Sequence, residues 1–258
     1  MTETYSNSLS ALQERNQVQK HTASNATDLS TWVMDHLGLQ IGHNVLDIGG
    51  GNGPQALPLA QIVGYSGHVL SIDRSYETLH TLGQRSQELG LETRIRLLQV
   101  NLDDLAGHLR EDDFDRALAS RALYRTKQPL SVFKAIHQSL KPGGTFFFYG
   151  PSRNNNVEIK RFHIALHDGM VLPESKELTF LEEVGLPVAR ECFAQVEIVK
   201  FEQPLLFDSP EALYACWSTS KLYSEEMDIP CRRAAVRYFE SNTVFETVKR
   251  VVGIKAIK

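Results

Sequence analysis

The sequence predicts an α/β fold in which a mainly parallel β-sheet carries helices on both faces. Three observations carry this. Short apolar runs alternate with stretches of helix-like apolar spacing through the first 150 residues. A glycine-rich turn, GGGNG, directly follows the first apolar run. GTFFFYG, at 144–150, is an unbroken run of the kind seen in a strand covered on both faces.

Taken in order, NVLDI (44–48) reads as a strand ending in glycines, and PQALPLAQIV (54–63) as the helix that follows. Pro54 can open that helix, because the N1 position needs no amide hydrogen and suits a fixed φ; Pro58 falls in the same first turn or just beyond. HVLSID is the second strand, SYETLHTLGQRSQEL a helix with Ser75 as its N-cap, and RIRLLQV the third strand. FDRALAS follows as a strand, then a helix near PLSVFKAIHQSL, which the Lys-Pro-Gly-Gly turn at 141–144 ends, and then GTFFFYG. Past Gly150 the rhythm changes. Helices are expected near 156–168 and 175–184, a long strand at 188–200, and helices at 209–222 and 231–240. VFETVKRVVGIKAIK closes the chain as a strand, with Gly253 marking a bulge. No repeat, low-complexity tract or linker divides the 258 residues, so they are read as a single domain.

Composition narrows the function. Lys and Arg number 27 against 31 Asp and Glu, a net charge of −4, and the basic residues are scattered; a nucleic-acid or anionic-membrane partner is not expected. Arg232 and Arg233 form the nearest thing to a cluster and read as a solvated helix face. The three cysteines are widely spaced, without a CxxC pair or a His at ligand spacing, which argues against a metal site and for a reducing, cytoplasmic setting. The polar N-terminus lacks a signal-peptide core, and no segment approaches about 18 uninterrupted apolar residues. Oligomeric state is not legible.

The chemistry concentrates in VLDIGGGNGP, where Asp47 precedes Gly49, Gly51 and Gly53 at the end of a strand. Glycines let the chain turn sharply and let a ligand approach bare backbone, while the following helix aims free amides at the same place. A zwitterionic amino-acid cofactor suits this junction: amides hold its carboxylate and Asp47, directly or through water, attracts its ammonium. A dinucleotide turn would place a third Gly or Ala where Pro54 stands, so that spacing fails. A purely structural glycine turn is the plain alternative. Against it, HVLSID ends in Asp73, about 20 residues further on, where a carboxylate can accept both hydroxyls of a ribose; a helix-capping role competes for that residue.

Over about residues 25–150 the chain resembles the class I S-adenosylmethionine-dependent methyltransferases, in the small-molecule group that includes menaquinone and ubiquinone C-methyltransferases. VLDIGGGNG is similar to the family's first motif, SIDRS to its ribose-binding acid, VNLDDL to its adenine loop, FDRALASRALY to its fourth strand and LKPGGTFFFYG to its fifth. The resemblance implies a Rossmann-like, seven-stranded sheet with one antiparallel strand near the C-terminus. It also implies a cofactor-binding core at 25–150, with residues 1–24 and 151–185 over the substrate and 151–258 supplying that cover and the last strands.

Residue by residue, the resemblance implies that Gly49 and Gly51 line the methionine part of S-adenosylmethionine, Asp73 holds the ribose, Arg74 flanks the adenine and the Leu102 amide meets the ring. Asn101 stands where the family commonly has Asp; its side-chain oxygen still accepts from the exocyclic amine. Ser120 matches the position beside the sulfonium, or else caps a helix. Arg121 and Tyr124 face substrate or merely pack, and His21, Tyr149, His163 and His167 share that ambiguity. His21, Tyr124, Tyr149 and His163 are the candidate catalytic side chains, although methyl transfer from a sulfonium needs a base only when the acceptor is a hydroxyl or carbon acid. The expected function is methyl transfer to a small natural-product or quinone-type metabolite. The alternatives are a noncatalytic S-adenosylmethionine sensor or partner protein, and an enzyme using the same cofactor for another reaction.

Overall fold

The apolar runs assemble into one seven-stranded sheet in the computed structural model, which describes residues 28–167, 172–173 and 175–258. Its strands are β1 (Asn44–Ile48), β2 (His68–Asp73), β3 (Ile95–Gln99), β4 (Phe114–Ser120), β5 (Leu140–Pro151), β6 (Gln195–Phe207) and β7 (Phe245–Ile257), in the order β3-β2-β1-β4-β5-β7-β6. β1 lies parallel to β2 and β4, β3 is parallel to β2, and β5 is parallel to β4. β7 runs antiparallel to β5, so the expected reversed strand is present.

Two cores cover the sheet's faces, and strand alternation divides them. Leu46, Ile48, Ala117, Ala119, Phe146 and Phe148 point to one side, where Phe133 and Ile136 of a helix, α4 (Pro129–Ser139), meet them. Val45, Val69, Leu118, Phe147 and Tyr149 point to the other. There they meet α1 (Leu29–Leu37) and α2 (Ala56–Val63), with Val33, Leu59 and Val63 buried against them. This double cover explains why the FFFY run is apolar at every position. Phe133 meets Phe148 edge-on with centroids 5.2 Å apart on one face, and Trp32 meets Phe147 at 5.4 Å on the other. Ser75 caps α3 (Tyr76–Glu88) as expected, its Oγ accepting from Thr78 N at 3.3 Å.

Several expectations need correction. Residues 54–55 belong to the turn, so Pro54 does not open α2. Pro58 is its third residue, where an amide has no partner within the helix in any case. The Lys-Pro-Gly-Gly segment is not a free turn but an irregular start of β5, whose extra residues bulge between the pairs Phe114–Leu140 and Arg116–Thr145. Gly253 makes no bulge, for it pairs in register with Tyr149. A Cβ there would lie 2.6 Å from Phe147 Cζ and 2.7 Å from Trp32 Cη2, so glycine leaves room for two rings.

Beyond β5, α5 (Val157–Ile164) is shorter than expected, and α6 (Lys176–Phe180) runs through a π-helical turn at Leu181–Gly185 into α7 (Leu186–Cys192). Residues 188–192 are therefore helical, and the strand expected from 188 begins at Gln195. Pro187, in the first turn of α7, cannot donate to the helix before it, which accounts for the wider turn there. The last helices are α8 (Pro210–Ser218) and α9 (Asp228–Phe239).

The chain divides into two compact units. The larger comprises 28–153, 175–201 and 251–258 of the described residues and contains both cores named above. The smaller comprises 154–167, 172–173 and 202–250, with a core of its own built on Leu205, Phe207, Leu213, Trp217, Cys231 and Phe245.

Candidate active site

Where β1 ends, its neighbours β2 and β4 belong to chain paths that leave in opposite directions, so a crevice opens beyond the strand ends. The glycine turn occupies that point. Gly49 and Gly50 both donate to Ile72 O, at 2.8 and 3.0 Å, which binds the turn to the end of β2. Gly49, Gly51 and Gly53 all have positive φ, where a Cβ is strained. Their surroundings separate their roles. A Cβ on Gly49 would strike Ala122 and one on Gly53 would strike Leu82, whereas one on Gly51 would meet no atom within 4 Å. Gly49 and Gly53 thus serve the packing, and Gly51 presents open backbone.

Gly50 escaped the sequence reading, since it lies between the patterned glycines. A Cβ there would sit 1.9 Å from Ser71 Oγ and 2.3 Å from Asp47 Oδ2, so its absence makes room for the acid below. Asp47 is 1% exposed. Its Oδ2 accepts from Ser71 Oγ at 2.9 Å, while its Oδ1 is buried without a partner. Burial pushes this carboxyl up to about 7, and the charge of Asp73 adds to the rise, while the Ser71 hydrogen bond opposes it.

Asp73 lies at the end of β2 with one oxygen accepting from Gly51 N at 3.1 Å and the other from Ser75 N at 3.0 Å. Each oxygen retains a second lone pair. Beyond β3, Asn101 caps the short 3₁₀ turn Leu102–Gly107, its Oδ1 accepting from Asp103 N at 3.2 Å. That local bond uses one of the two lone pairs an adenine amine would seek. Arg74 is exposed, with its carbonyl accepting from Gln99 Nε2 at 3.2 Å.

Ser120 and Tyr149 end β4 and β5 side by side, and Ser120 Oγ donates to Tyr149 Oη at 2.7 Å. Gln55 Nε2 donates to the same oxygen at 2.9 Å, a link the sequence reading did not contain. Tyr149 is buried, which pushes its phenol above the ordinary tyrosine range and keeps it protonated. Arg121 follows β4 in the left-handed region at φ 50°, unusual for a non-glycine residue, and donates its backbone N to Tyr149 O at 3.0 Å. Tyr124 lies in the next turn, its Oη accepting from Arg125 Nε at 3.3 Å. A narrow cleft opens here. Its walls are Ala119, Ala122, Leu123, Phe148, Phe180 and Leu181, and Arg121, Tyr124 and Glu177 supply polar edges.

Two of the candidate side chains are histidines. His163 belongs to the smaller unit, buried, with its Nδ1 accepting from Trp217 Nε1 at 3.2 Å; burial and the neighbouring His167 hold it below the usual histidine range. This is the bonding of a core histidine. His21 lies outside the described residues.

The seven strands in this order, the last in sequence reversed, and the acid and glycine turn at the switch point define a class I S-adenosylmethionine-dependent enzyme. The family described as "Methyltransferase domain" matches residues 39–180, more than half of the chain, and the chain belongs to it. It is similar to a 2-phytyl-1,4-naphtoquinone methyltransferase of Nostoc sp., 29% identical over 169 residues covering 62% of this chain and 72% of the relative. It is also similar to a protein-L-isoaspartate O-methyltransferase of Methanococcus maripaludis, 35% identical over 155 residues covering 59% and 66%. The solved Phospholethanolamine N-methyltransferase 2 of Haemonchus contortus, in complex with phosphomonomethylethanolamine and S-adenosylhomocysteine, shares the fold at a TM-score of 0.55 and 16% identity, over 89% of this chain and 52% of that one. The chain is accordingly an S-adenosylmethionine-dependent methyltransferase. No helix among the described residues is long and apolar enough to cross a membrane, and among those residues no group of three or more His, Cys, Asp or Glu is placed to hold a metal ion.

The residues fit this cofactor. Open backbone at Gly51 accommodates a close ligand, the Asp47 oxygen without a partner asks for a cationic donor, and Asp73 has acceptors to spare for a diol. Two results are expected. Asp73→Ala should weaken S-adenosylhomocysteine by about 1 to 3 kcal/mol in calorimetry, as lost charge-assisted hydrogen bonds would. The second is a pH dependence. Below the ordinary carboxyl value of 3.8, Asp47 is protonated both folded and unfolded. As pH rises toward about 7 the unfolded chain ionises first, so free-protein stability falls across that window. A ligand ammonium beside the carboxyl favours its ionised form, so affinity should rise with pH up to about 7 and binding should release a proton. Calorimetry near pH 6 in buffers of different ionisation enthalpy checks this. Wild type should release a proton and Asp47→Asn should not; equal behaviour would contradict the assignment.

Proposed function

We propose that the enzyme methylates a small, largely apolar acceptor of the quinone or natural-product type, held in the cleft beyond β4 and β5. The observation that carries this reading is the lining itself, with six apolar side chains around a small volume and polar groups at the edge. The relative named for a naphtoquinone supports the same class of acceptor. When bound, S-adenosylmethionine supplies an already activated methyl group. The protein's contribution is to hold the acceptor close and dry. Phe148, Phe180 and Leu181 exclude water, and Arg121 and Tyr124 donate hydrogen bonds to an acceptor oxygen. Tyr149, protonated and bonded to Ser120 and Gln55, is suited to orientation rather than proton removal.

A protein acceptor is the second reading, favoured by the isoaspartate-directed relative. Methyl-labelled cofactor incubated with a cell extract, split into metabolite and protein fractions and analysed by mass spectrometry, separates the two. Label is expected in a metabolite, and Leu181→Trp, which fills the cleft, should abolish that transfer while S-adenosylhomocysteine still binds. Label confined to protein would favour the second reading. Cofactor binding with no transfer in either fraction would favour a sensor.

A further inference from the structure

Three hydrogen-bonding groups around the glycine turn are left over once the fold's own bonds are made. Tyr149 Oη receives Ser120 Oγ at 2.7 Å and Gln55 Nε2 at 2.9 Å, which occupies both of its lone pairs and leaves its own hydrogen to donate elsewhere. With its Nε2 committed to Tyr149, the Gln55 carboxamide holds its Oε1 on the opposite side, buried and without a partner. Asp47 Oδ1 is the third, also buried and without a partner. These groups gather at one end of the sheet: Gln55 bonds to Tyr149 on β5, and Asp47 lies on β1, one strand removed, with Gly50 of the turn packed over its carboxyl.

Buried polar atoms in folded proteins are nearly always paired, so two acceptors and a donor left over at one place call for a ligand. Local structure does not explain Gln55. It occupies the cap position of α2 but makes no side-chain capping bond, and it follows Gly53 and Pro54 in the turn whose open backbone is Gly51. The leftover set is two acceptors and one donor. An amino-acid headgroup is the complement, with an ammonium to donate and a carboxylate to accept.

We propose that Gln55 is a positioning residue for the amino-acid headgroup of S-adenosylmethionine: its Oε1 accepts from the ammonium together with Asp47 Oδ1, while the Tyr149 hydroxyl donates to the carboxylate. The inference rests on the cofactor assigned above. Ser120 and Tyr149, at the ends of adjacent parallel strands, hold the carboxamide from behind. An amide locked in this way fixes the headgroup and thereby the direction in which the methyl group points.

The test compares two ligands by isothermal titration. S-adenosylhomocysteine carries the headgroup, and 5′-methylthioadenosine keeps the adenosine and the sulfur but lacks it. Gln55→Leu should weaken S-adenosylhomocysteine at least about 10-fold, the loss of hydrogen bonds to a charged group, and leave methylthioadenosine unchanged. Gln55→Glu, which keeps an acceptor but loses the Nε2 donor to Tyr149, should recover only part of the S-adenosylhomocysteine affinity. Circular dichroism establishes that each variant is folded. Equal weakening of both ligands would show that Gln55 acts only through the shape of the turn, and unchanged affinity for both would show that it touches no headgroup; either result overturns the proposal. Failure of wild type to bind either ligand would instead remove the cofactor assignment on which it rests.

Discussion

Gly51→Val is expected to abolish S-adenosylhomocysteine binding while the protein stays folded. The two effects separate because Gly51 combines a positive φ of 55° with open space: a Cβ there would meet no atom within 4 Å. Stability should fall only by the cost of a side chain in the left-handed region, about 1 to 2 kcal/mol, or roughly 2 to 8 °C in Tm. Binding suffers more, because the added branches occupy the space where ligand meets backbone, and a loss beyond about 100-fold, or about 2.7 kcal/mol, is expected. Gly90→Val is the control. Gly90 also has a positive φ, 65°, and open surroundings, but it follows α3 and its own amide bonds to Gln87 O rather than to the turn. It should match the stability loss and leave binding intact. Equal binding by Gly51→Val and wild type would move the cofactor away from the turn.

Gly253→Val should act in the other order, damaging the fold first and reaching the site only through the packing around Tyr149. Phe147 Cζ and Trp32 Cη2 lie 2.6 and 2.7 Å from where a Cβ would stand, and both belong to packed rings. Trp32 is held edge-on against Phe147 and Tyr149, at 5.4 and 6.3 Å between centroids, so neither ring can yield without disturbing the other. Overpacking of this kind costs about 2 to 3 kcal/mol, which for a chain of this size lowers Tm by roughly 4 to 12 °C. Thermal unfolding followed by circular dichroism measures it. A variant as stable as wild type would mean that β7 shifts away from β5 at little cost.

The core of the fold was legible because its signals are local. FDRALAS coincides with β4, HVLSID with β2 and NVLDI with β1, since an apolar run bounded by turn residues reports a buried strand directly. The segment 188–200 was misread because Val188, Cys192, Val196 and Ile198 satisfy a strand pattern and a short helix about equally well, and the helix is fixed by packing. Ala189 and Phe193 face the core that holds Phe146, a contact between residues far apart in sequence.

The site divides in the same way. Asp47, Gly51 and Asp73 stand out as an acid, a glycine and an acid at strand ends, and the structure gathers them at one turn through the Asp73 to Gly51 bond. Gly50 and Gln55 have roles set by partners in other strands, Ser71 for one and Tyr149 for the other, so local spacing could not reveal them. The Asp103 carboxylate is a further case. It accepts from Thr126 Oγ1 and from the amides of Lys127 and Gln128, tying the turn that follows β3 to the start of α4. Within VNLDDL nothing distinguishes it from Asp104.

A crystal structure with S-adenosylhomocysteine bound tests the cofactor site most directly. The ribose hydroxyls are expected on the Asp73 carboxylate, the adenine beside Leu102 and the amino-acid headgroup over Gly51, within hydrogen-bonding reach of Asp47 and Gln55. A ligand bound away from the ends of β1 and β2, or one whose ribose and headgroup exchange places, would contradict it.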